Sequence, residues 1–582
     1  MKSNFIFISF ITFFLAYFAF SQAEPLVEYR CWQFQSLDPV YVTESLKKAP
    51  DYNINTVIYS HRMIADLPEL FNEPRRARIL TMLADEAHSY DLKVWLWLHE
   101  LAGVPDEYMK DNRVQMDKKG FWKWLKKRYQ RLVDEYPMFD GVMLTFHETE
   151  NMIFRDSDVE TRLSKPERFT RLINTIDDVL KAKNKDFVVR AFFYNPIELE
   201  WFSEGLKKVH PRVMLQAKCM PHDFSPHYPH NPIIGQFPDR KLIIEFSPSE
   251  GFYGASTLLF AAPSYFEWRW RYDLTKPETV GYNARLDQSV DALNNPQEID
   301  LYSLYRFSED AGITAEDVWD EWTRLRYNEK AAPFVEEALK VTRDIAEKTI
   351  YFKKFWIIRH SGLPIYKYAM GHITERSMAK WAPDNQEYIE TEKRLLHPDP
   401  EYLEELLREK DESMALVHQS LGYLEKAKPY LKAEDYSHLV RWLNITARDI
   451  YLIKTWSEAF FGFRVMVEGY DVPGLSQRVD RALDALLLEA RSSEVDPSPQ
   501  DTQVIRRAVE TLQVYRSLPL LVYRTFEKEL YRLVGTFYRF SHFNYEKIYK
   551  NGETVYTVTW KSGKPQKQYK LRIAEDGRLL EL

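Results

Sequence analysis

The stretch Phe139-Asp-Gly-Val-Met-Leu-Thr-Phe-His-Glu-Thr-Glu-Asn151 decides both the fold and the chemistry predicted for this chain. Its first part (141–146) is short and almost continuously apolar, as is typical of a parallel strand covered on both faces. The run ends abruptly in the polar segment 147–150. Barrel enzymes keep their active sites at this carboxyl end of the strands, so we expect catalytic carboxylates here.

The same plan recurs along the N-terminal half of the chain. Amphipathic helical segments, among them 74–88, 121–135 and 165–183, separate runs with strand character. The predicted strands are 27–32, 56–59, 93–98, 141–146, 187–193, 212–217, 241–246 and 279–286. Eight such alternations favour a (β/α)8 TIM barrel over an open doubly wound sheet, and no glycine-rich nucleotide loop follows any strand.

The N-terminus has the features of an export signal. Lys2 precedes an apolar run (5–20), and small residues follow it, which predicts a signal peptide over 1–23. We therefore expect an exported protein, in the periplasm or outside the cell, without a membrane span. The catalytic barrel is predicted over 24–312.

The pattern changes after the barrel. Thr314 to Asp317 has the form of a capped helix start, and long helical periodicities predict an all-α domain over 313–543, with proline-rich breaks near 382–400 and 495–500. The tail (544–582) alternates apolar and polar residues with a period of two, which predicts a small β-meander.

Composition narrows the class of protein. Hydrophobic residues make up 45% and charged residues 28%, which is typical of a globular chain, and the net charge of −7 argues against a nucleic-acid partner. The chain has two cysteines, Cys31 and Cys219, for which buried free thiols are expected, a single bridge between them being the alternative. The histidines lack metal-ligand spacing, so neither a metal nor a cofactor is predicted. The oligomeric state stays open, a homodimer through the helical domain being one option.

Charged and aromatic groups gather where the predicted strands end. They include Arg30, Trp32, His61, Arg62, His99, Glu100, Glu148, Glu150, Tyr194, Asn195, Lys218, Asp223 and Glu250. A purely structural barrel has no reason to collect such groups on one rim, whereas a reaction needs groups that converge from several strands. An enzyme is therefore predicted.

Four segments (140–148, 187–194, 214–226 and 242–254) together resemble the family 67 glycoside hydrolases, the α-glucuronidases that remove glucuronic acid from xylan fragments. The resemblance covers about residues 27–325 and continues into the helical domain. It implies that Glu148 is the general acid, and that Asp223 and Glu250 activate the attacking water. An inverting glycosidase needs such an acid and base on opposite faces of the sugar, with room for water between them.

The resemblance also implies a substrate site. Arg190 and Lys218 match residues near the sugar carboxylate, and cations suit an anionic uronate there. Trp32, Tyr253 and His147 are expected to contact the sugar. Two alternatives stay open: Arg190 could instead pair with a barrel acid, and Trp32 could belong to the core.

One departure from the family leaves the sugar open. The family has a Lys four residues before its general acid, where it helps to hold the uronate, and this chain has Leu144. The sequence therefore predicts an exported α-glucuronidase-like hydrolase that acts on plant or algal oligosaccharides. The alternatives are a glycosidase for a non-uronic sugar, a catalytically silent glycan-binding barrel, and a polysaccharide lyase, for which the site holds more acids than that chemistry needs.

Overall fold

The computed structural model describes residues 26–254, 258–375, 377–492, 502–537, 540–550, 552–562 and 567–582. The predicted signal peptide (1–23) and the predicted break at 495–500 therefore lie outside the described residues. The boundaries predicted for the domains stay predictions.

Eight parallel strands close into a barrel in which each strand pairs with its neighbours in the chain and the last pairs with the first. The strands are β1 (Tyr29–Phe34), β2 (Thr56–Tyr59), β3 (Lys93–His99), β4 (Gly141–Thr145), β5 (Asp186–Ala191), β6 (Met214–Lys218), β7 (Leu242–Phe246) and β8 (Thr279–Arg285). The predicted barrel is confirmed, and every predicted strand overlaps an observed one.

Helices surround the barrel. They are α1 (Pro39–Lys48), α2 (His61–Ile64), α3 (Leu67–Asn72), α4 (Pro74–Ser89), α5 (Phe121–Glu135), α6 (Lys165–Ala182), α7 (Pro196–Leu206), α8 (Pro263–Leu274) and α9 (Glu298–Glu309). The connection between β6 and β7 (219–241) contains turns and no helix. This long connection carries Asp223, so one of the predicted acids is placed by a loop rather than by a strand end.

A helical region follows the barrel. Its helices are α10 (Ala315–Tyr327), α11 (Ala332–Lys340), α12 (Thr342–Ile350), α13 (Tyr366–Glu375), α14 (Gln386–Leu396), α15 (Pro400–Ala427), α16 (Ala433–Glu468), α17 (Leu475–Ser492), α18 (Thr502–Arg516) and α19 (Leu520–Val534). The predicted cap exists, because Thr314 and Asp317 form a capping box at the start of α10. The predicted break at 382–400 is wrong in part, since α14 lies inside it.

The chain ends in an antiparallel sheet of four strands, β9 (Phe540–Lys550), β10 (Glu553–Ser562), β11 (Lys567–Ala574) and β12 (Leu579–Glu581). It packs on α19, where the rings of Phe526 and Trp560 lie 5.5 Å apart and Thr525 donates to the carbonyl of Gly577. The predicted meander is confirmed. A sheet of this size needs such a partner to be stable.

The barrel interior becomes more polar from its floor to the carboxyl ends of its strands. We call this carboxyl end of the barrel the mouth. Because side chains alternate along a strand, β6 directs Met214, Gln216 and Lys218 inward. Met214 belongs to an apolar floor and Gln216 to a layer of amides, in which Asn283 donates to Gln33 over 2.8 Å. Charged groups follow at the mouth.

Candidate active site

An ion-pair cluster fills the mouth of the barrel. Glu245 of β7 accepts two hydrogen bonds from Arg190 of β5, at 2.6 and 3.0 Å, and two from Arg285 of β8, at 2.9 and 2.6 Å. All three side chains are buried. Burial by itself would raise the pKa of Glu245, but the two guanidinium groups outweigh it and hold that pKa well below its ordinary value. Glu245 is therefore a fixed anion inside the barrel.

Glu250 follows β7 and begins a single 3-10 turn (Gly251–Tyr253). Its carboxylate accepts hydrogen bonds from the backbone N–H of Gly251 over 3.0 Å and from Nη1 of Arg285 over 3.2 Å. The residue is only 1% exposed. His360, which comes from the helical region, places Nδ1 3.7 Å from Oε1 of Glu250.

Asp223 lies next to Lys218 at the end of β6. The Lys218 ammonium is 3.2 Å from Oδ1 of Asp223 and lies over the rings of Phe192 and Phe224, at 4.3 and 4.6 Å. Burial lowers the pKa of Lys218, an effect that Asp223 opposes and Arg190 strengthens. The Asp223 carboxylate keeps partial exposure, 16% of the side chain, so this acid is more accessible than Glu250.

Glu148 lies on a strained turn at the end of β4. Both His147 and Glu148 have positive φ, 69° and 58°, which a non-glycine residue adopts only at a cost of about 1–3 kcal/mol each. Glu100 stabilises this turn. Its Oε1 accepts hydrogen bonds from the backbone N–H of Ile153 over 3.0 Å and from that of His147 over 3.4 Å. The Glu148 side chain is exposed. Strain of this kind often marks functional residues.

Arg285 connects the predicted acids electrostatically. Burial would lower the pKa of Arg285, but Glu245 and Glu250 raise it above its ordinary value, and Glu148 contributes in the same direction. Glu148 is therefore close enough to act electrostatically on the same cation that Glu250 binds. Lys218 and Arg285 both lie against the ring of Phe224, at 4.6 and 5.0 Å, which brings Asp223 into the same group. The structure thus places all three predicted acids at one mouth.

Arg190 does not have the position expected of a substrate-binding cation. Both of its terminal contacts with Glu245 are made inside the barrel, and Nη1 donates to Thr145 over 3.1 Å. The alternative that it pairs with a barrel acid is the one observed. Lys218, the other predicted cation, is likewise buried beside Asp223. Neither cation presents a free donor face to solvent.

Three predicted sugar contacts are buried side chains. Trp32 packs 5.1 Å from Tyr52 in the layer between barrel and helices, because alternation along β1 turns it outward. His147 is 0% exposed, and burial lowers its pKa to about 3. Tyr253 is stacked on Phe260 at 4.7 Å. Their predicted contact with a sugar stays a prediction.

Leu144 also faces the helix layer, where it is fully buried in the outer apolar core. Its neighbour Thr145 faces the barrel interior and contacts Arg190. A side chain at position 144 therefore does not enter the mouth in this fold. The absence of a Lys at this position says little about which sugar the mouth would accept.

Sequence reasoning missed several residues of the mouth. Arg285 and Glu245 are inward residues near the ends of β8 and β7, and the alternation Asn283-x-Arg285 was the signal that could have found the first of them. Asp66, which was also missed, binds Nδ1 of His99 over 2.8 Å. The rings of His61 and His99, two rim residues that the sequence did identify, lie 4.9 Å apart. Burial, with a contribution from His99, lowers the pKa of His61 to about 3. No pattern in the sequence predicted the contact of His360 with Glu250.

Among the residues that the structure describes, no group of three or more His, Cys, Asp or Glu side chains is arranged to hold a metal ion. No described helix has both the length and the apolarity needed to cross a membrane. Cys31 and Cys219 are buried free thiols, as expected.

Comparisons with known proteins find only remote likenesses in structure. No family model matches it, and no curated protein matches it. An O-GlcNAc hydrolase mutant from Thermobaculum terrenum is 11% identical over 88% of this chain and 98% of its own, with a TM-score of 0.44. A family 115 4-O-methyl-α-glucuronidase with specificity for decorated arabinogalactans is 11% identical over 84% of this chain and 62% of its own, with a TM-score of 0.47. Likenesses this remote carry no argument about activity.

Proposed function

We propose that this protein is an inverting glycoside hydrolase, α-glucuronidase-like, that removes a terminal sugar of the uronic-acid type from plant or algal oligosaccharides. The observation that supports the proposal most is the convergence on Arg285. Glu250 binds this guanidinium directly, and Glu148 acts on it through space. Carboxylates from the loops after β4 and β7 thereby act on one cation of the mouth, which supports an acid and a base on opposite sides of a bound sugar.

In the proposed reaction Glu148 is the general acid. Its exposed position on the turn after β4 allows it to reach a glycosidic oxygen in a bound oligosaccharide. As the bond between the anomeric carbon and that oxygen breaks, Glu148 gives its proton to the oxygen. Glu100 keeps the turn in place by accepting from the backbone on both sides of Glu148.

Glu250 and Asp223 serve the attacking water. One of the two carboxylates takes a proton from the water while the water oxygen bonds to the anomeric carbon from the face opposite the leaving group. Arg285 and Lys218 supply the counter-charges for these carboxylates, at 3.2 Å in each case. After the reaction Glu148 takes up one proton from solvent and the base releases one to solvent. The protein is therefore unchanged after each turnover.

A second candidate function is glycan binding without turnover. It is favoured by one observation, the 1% exposure of Glu250, which leaves water little access to that carboxylate while His360 lies against it. Asp223, with its partly exposed carboxylate, is the residue that favours hydrolysis over this alternative.

The two candidates are separated by incubating the purified full chain with uronate-bearing xylan oligosaccharides, their carboxyl-reduced neutral forms, and sulfated galactan oligosaccharides. We expect release of a monosaccharide by the wild type and by Arg441→Gln, a control at an exposed arginine of α16. Release by Glu148→Gln is expected to fall about 100-fold or more, the usual contribution of general acid catalysis. Binding by the wild type without release of any sugar would favour the glycan-binding function.

Export, predicted from the N-terminal run, is part of the same proposal. Fractionation of a cell that expresses the full chain tests it, and recovery of the protein with an intact N-terminus in the cytoplasm would contradict it.

A further inference from the structure

A second concave feature lies beside the mouth. It is a cavity of about 570 Å³ between loops of the barrel and the helical region. The barrel contributes Arg62, which follows β2, and Gln288, which follows β8. The helical region contributes Arg359, His360 and Arg507. We call this cavity the basic pocket.

The charges of the basic pocket are not balanced from within. Its described lining contains three arginines and one histidine, and no Asp or Glu. The salt bridges of the described chain include none that involves Arg62, Arg359 or Arg507, although the protein as a whole carries a net charge of −7. Like charges held together repel one another, and a ligand with negatively charged oxygens would relieve that repulsion. Guanidinium groups are also the side chains best suited to bind such oxygens in pairs.

Both walls of the basic pocket are fixed to the residues on either side of Glu250. On the barrel side, the backbone N–H of Gln288 donates to the hydroxyl of Ser249 over 2.9 Å. On the helical side, Ser361 donates to the carbonyl of Gly251 over 2.7 Å. The turn that carries Arg359 and His360 is closed by backbone hydrogen bonds between Arg359 and Gly362, at 2.9 and 2.7 Å.

The described cations of the mouth are less available to a negative group than those of the basic pocket. Its cations Arg190, Arg285 and Lys218 are already matched by carboxylates of the protein. A negatively charged group would therefore gain more from the arginines of the basic pocket, which have no salt bridge among the described residues, than from the ion-paired cluster of the barrel.

We propose that the basic pocket binds a negatively charged substituent of a carbohydrate chain, either a sulfate ester or a uronate carboxylate. This substituent belongs to a sugar unit next to the glycosidic bond that the mouth would cleave. The inference rests on the proposed function for the position of that bond, and it adds a charged subsite formed jointly by barrel and helical region. His360 links the two places, because its imidazole lines the basic pocket and contacts Glu250.

The test measures binding apart from turnover. In a Glu148→Gln background, calorimetry is used with two matched pairs of probes: a uronate-bearing xylan oligosaccharide against its carboxyl-reduced form, and a sulfated galactan oligosaccharide against its desulfated form. At least one anionic probe should bind about tenfold or more tightly than its neutral partner, as charge-assisted hydrogen bonds predict. Which pair shows the preference tells sulfate from carboxylate.

Two variants locate the preference. The double variant Arg359→Gln/Arg507→Gln should bind anionic and neutral probes equally, while Arg441→Gln, which changes an exposed arginine outside the pocket, should keep the preference. Matching thermal midpoints check that each variant is folded. Equal binding of both members of each pair, a preference that survives the double variant, or no binding of any anionic probe would overturn the inference. Charge-selective binding without sugar release by wild-type protein would keep the basic pocket and reject the hydrolase.

Discussion

Nη1 of Arg285 lies 3.2 Å from Oε2 of Glu250, and the same guanidinium binds Glu245 through Nε and Nη2. One side chain at the end of β8 therefore neutralises two buried carboxylates that belong to β7 and to the turn after it. A substitution of Arg285 should therefore disturb both the ion pair with Glu245 inside the barrel and the position of Glu250, the proposed base.

Arg285→Met should destabilise the protein by about 3–5 kcal/mol, because it leaves buried carboxylates with too few partners. The measurement is the midpoint of the first thermal transition. Arg62→Met is the matched control, since Arg62 is an exposed arginine at the same face. Equal midpoints for the two variants would contradict the ion-pair account of the mouth.

The Glu245 carboxylate makes the stability of the barrel dependent on acid. Its folded-state pKa lies below the ordinary value of 4.5. Its contribution is therefore complete above that pH and is lost as the pH falls below it toward the folded pKa. The difference in thermal midpoint between wild type and Glu245→Gln should be constant from pH 7 down to about 5, and should shrink at lower pH. A difference in thermal midpoint that grows as the pH falls would contradict a lowered pKa of Glu245.

Glu100 should have the opposite effect on stability. Burial raises its pKa from 4.5 to about 8, although the N–H groups of Ile153 and His147 partly oppose this. The unfolded chain therefore loses the proton at a lower pH than the folded chain, and stability falls as the pH rises between these two values. Glu100→Gln has no ionisable proton at this position, so its thermal midpoint should rise relative to that of the wild type as the pH increases from 5 to 8. A constant difference across that range would contradict the assignment.

Glu100 should also matter for the position of Glu148. Glu100→Ala removes the acceptor for two backbone N–H groups beside the strained turn, while Glu100→Gln keeps a carbonyl oxygen there. Loss of positioning predicts that the alanine variant loses kcat with little change in KM, and that the glutamine variant restores most of it. Equal kcat for the two variants would assign Glu100 a purely structural role.

Closure of the barrel between β8 and β1 depends on Gly281. A Cβ at this position would lie 2.1 Å from the carbonyl oxygen of Tyr29, so Gly281→Ala must force the two strands apart, at a cost of about 1–3 kcal/mol or more. Gly422→Ala in α15 meets nothing within 4 Å and should be stabilising by about 1 kcal/mol. Thermal midpoints that shift in the same direction for both variants would contradict this explanation.

Much of the fold was predictable because most of its strands and helices have a clear hydrophobic periodicity in the sequence. The strands of the barrel are short apolar runs between amphipathic helices, and the capping residues Thr314 and Asp317 marked the first helix after the barrel. The connection 219–241 was less predictable, because loops of this length carry no periodic signal. The helix α14 was hidden by the prolines on either side of it.

The site was predictable in part. Positions at strand ends predicted that charged groups gather at one mouth, and the resemblance to family 67 selected Glu148, Asp223 and Glu250 among them. The direction of a side chain depends on register, and this is why Trp32 faces the helices and Arg190 meets Glu245. His360 contacts Glu250 across more than a hundred residues of chain, and such long-range contacts leave no local trace in a sequence.

Proton NMR of the sugar at the moment of its release distinguishes an inverting from a retaining hydrolase. With a uronate-bearing oligosaccharide as substrate, an acid at Glu148 and a water-activating carboxylate at Glu250 or Asp223 predict that the first anomer seen has the configuration opposite to that of the bond cleaved. Release with retained configuration, or undiminished release by Glu148→Gln, would contradict the account.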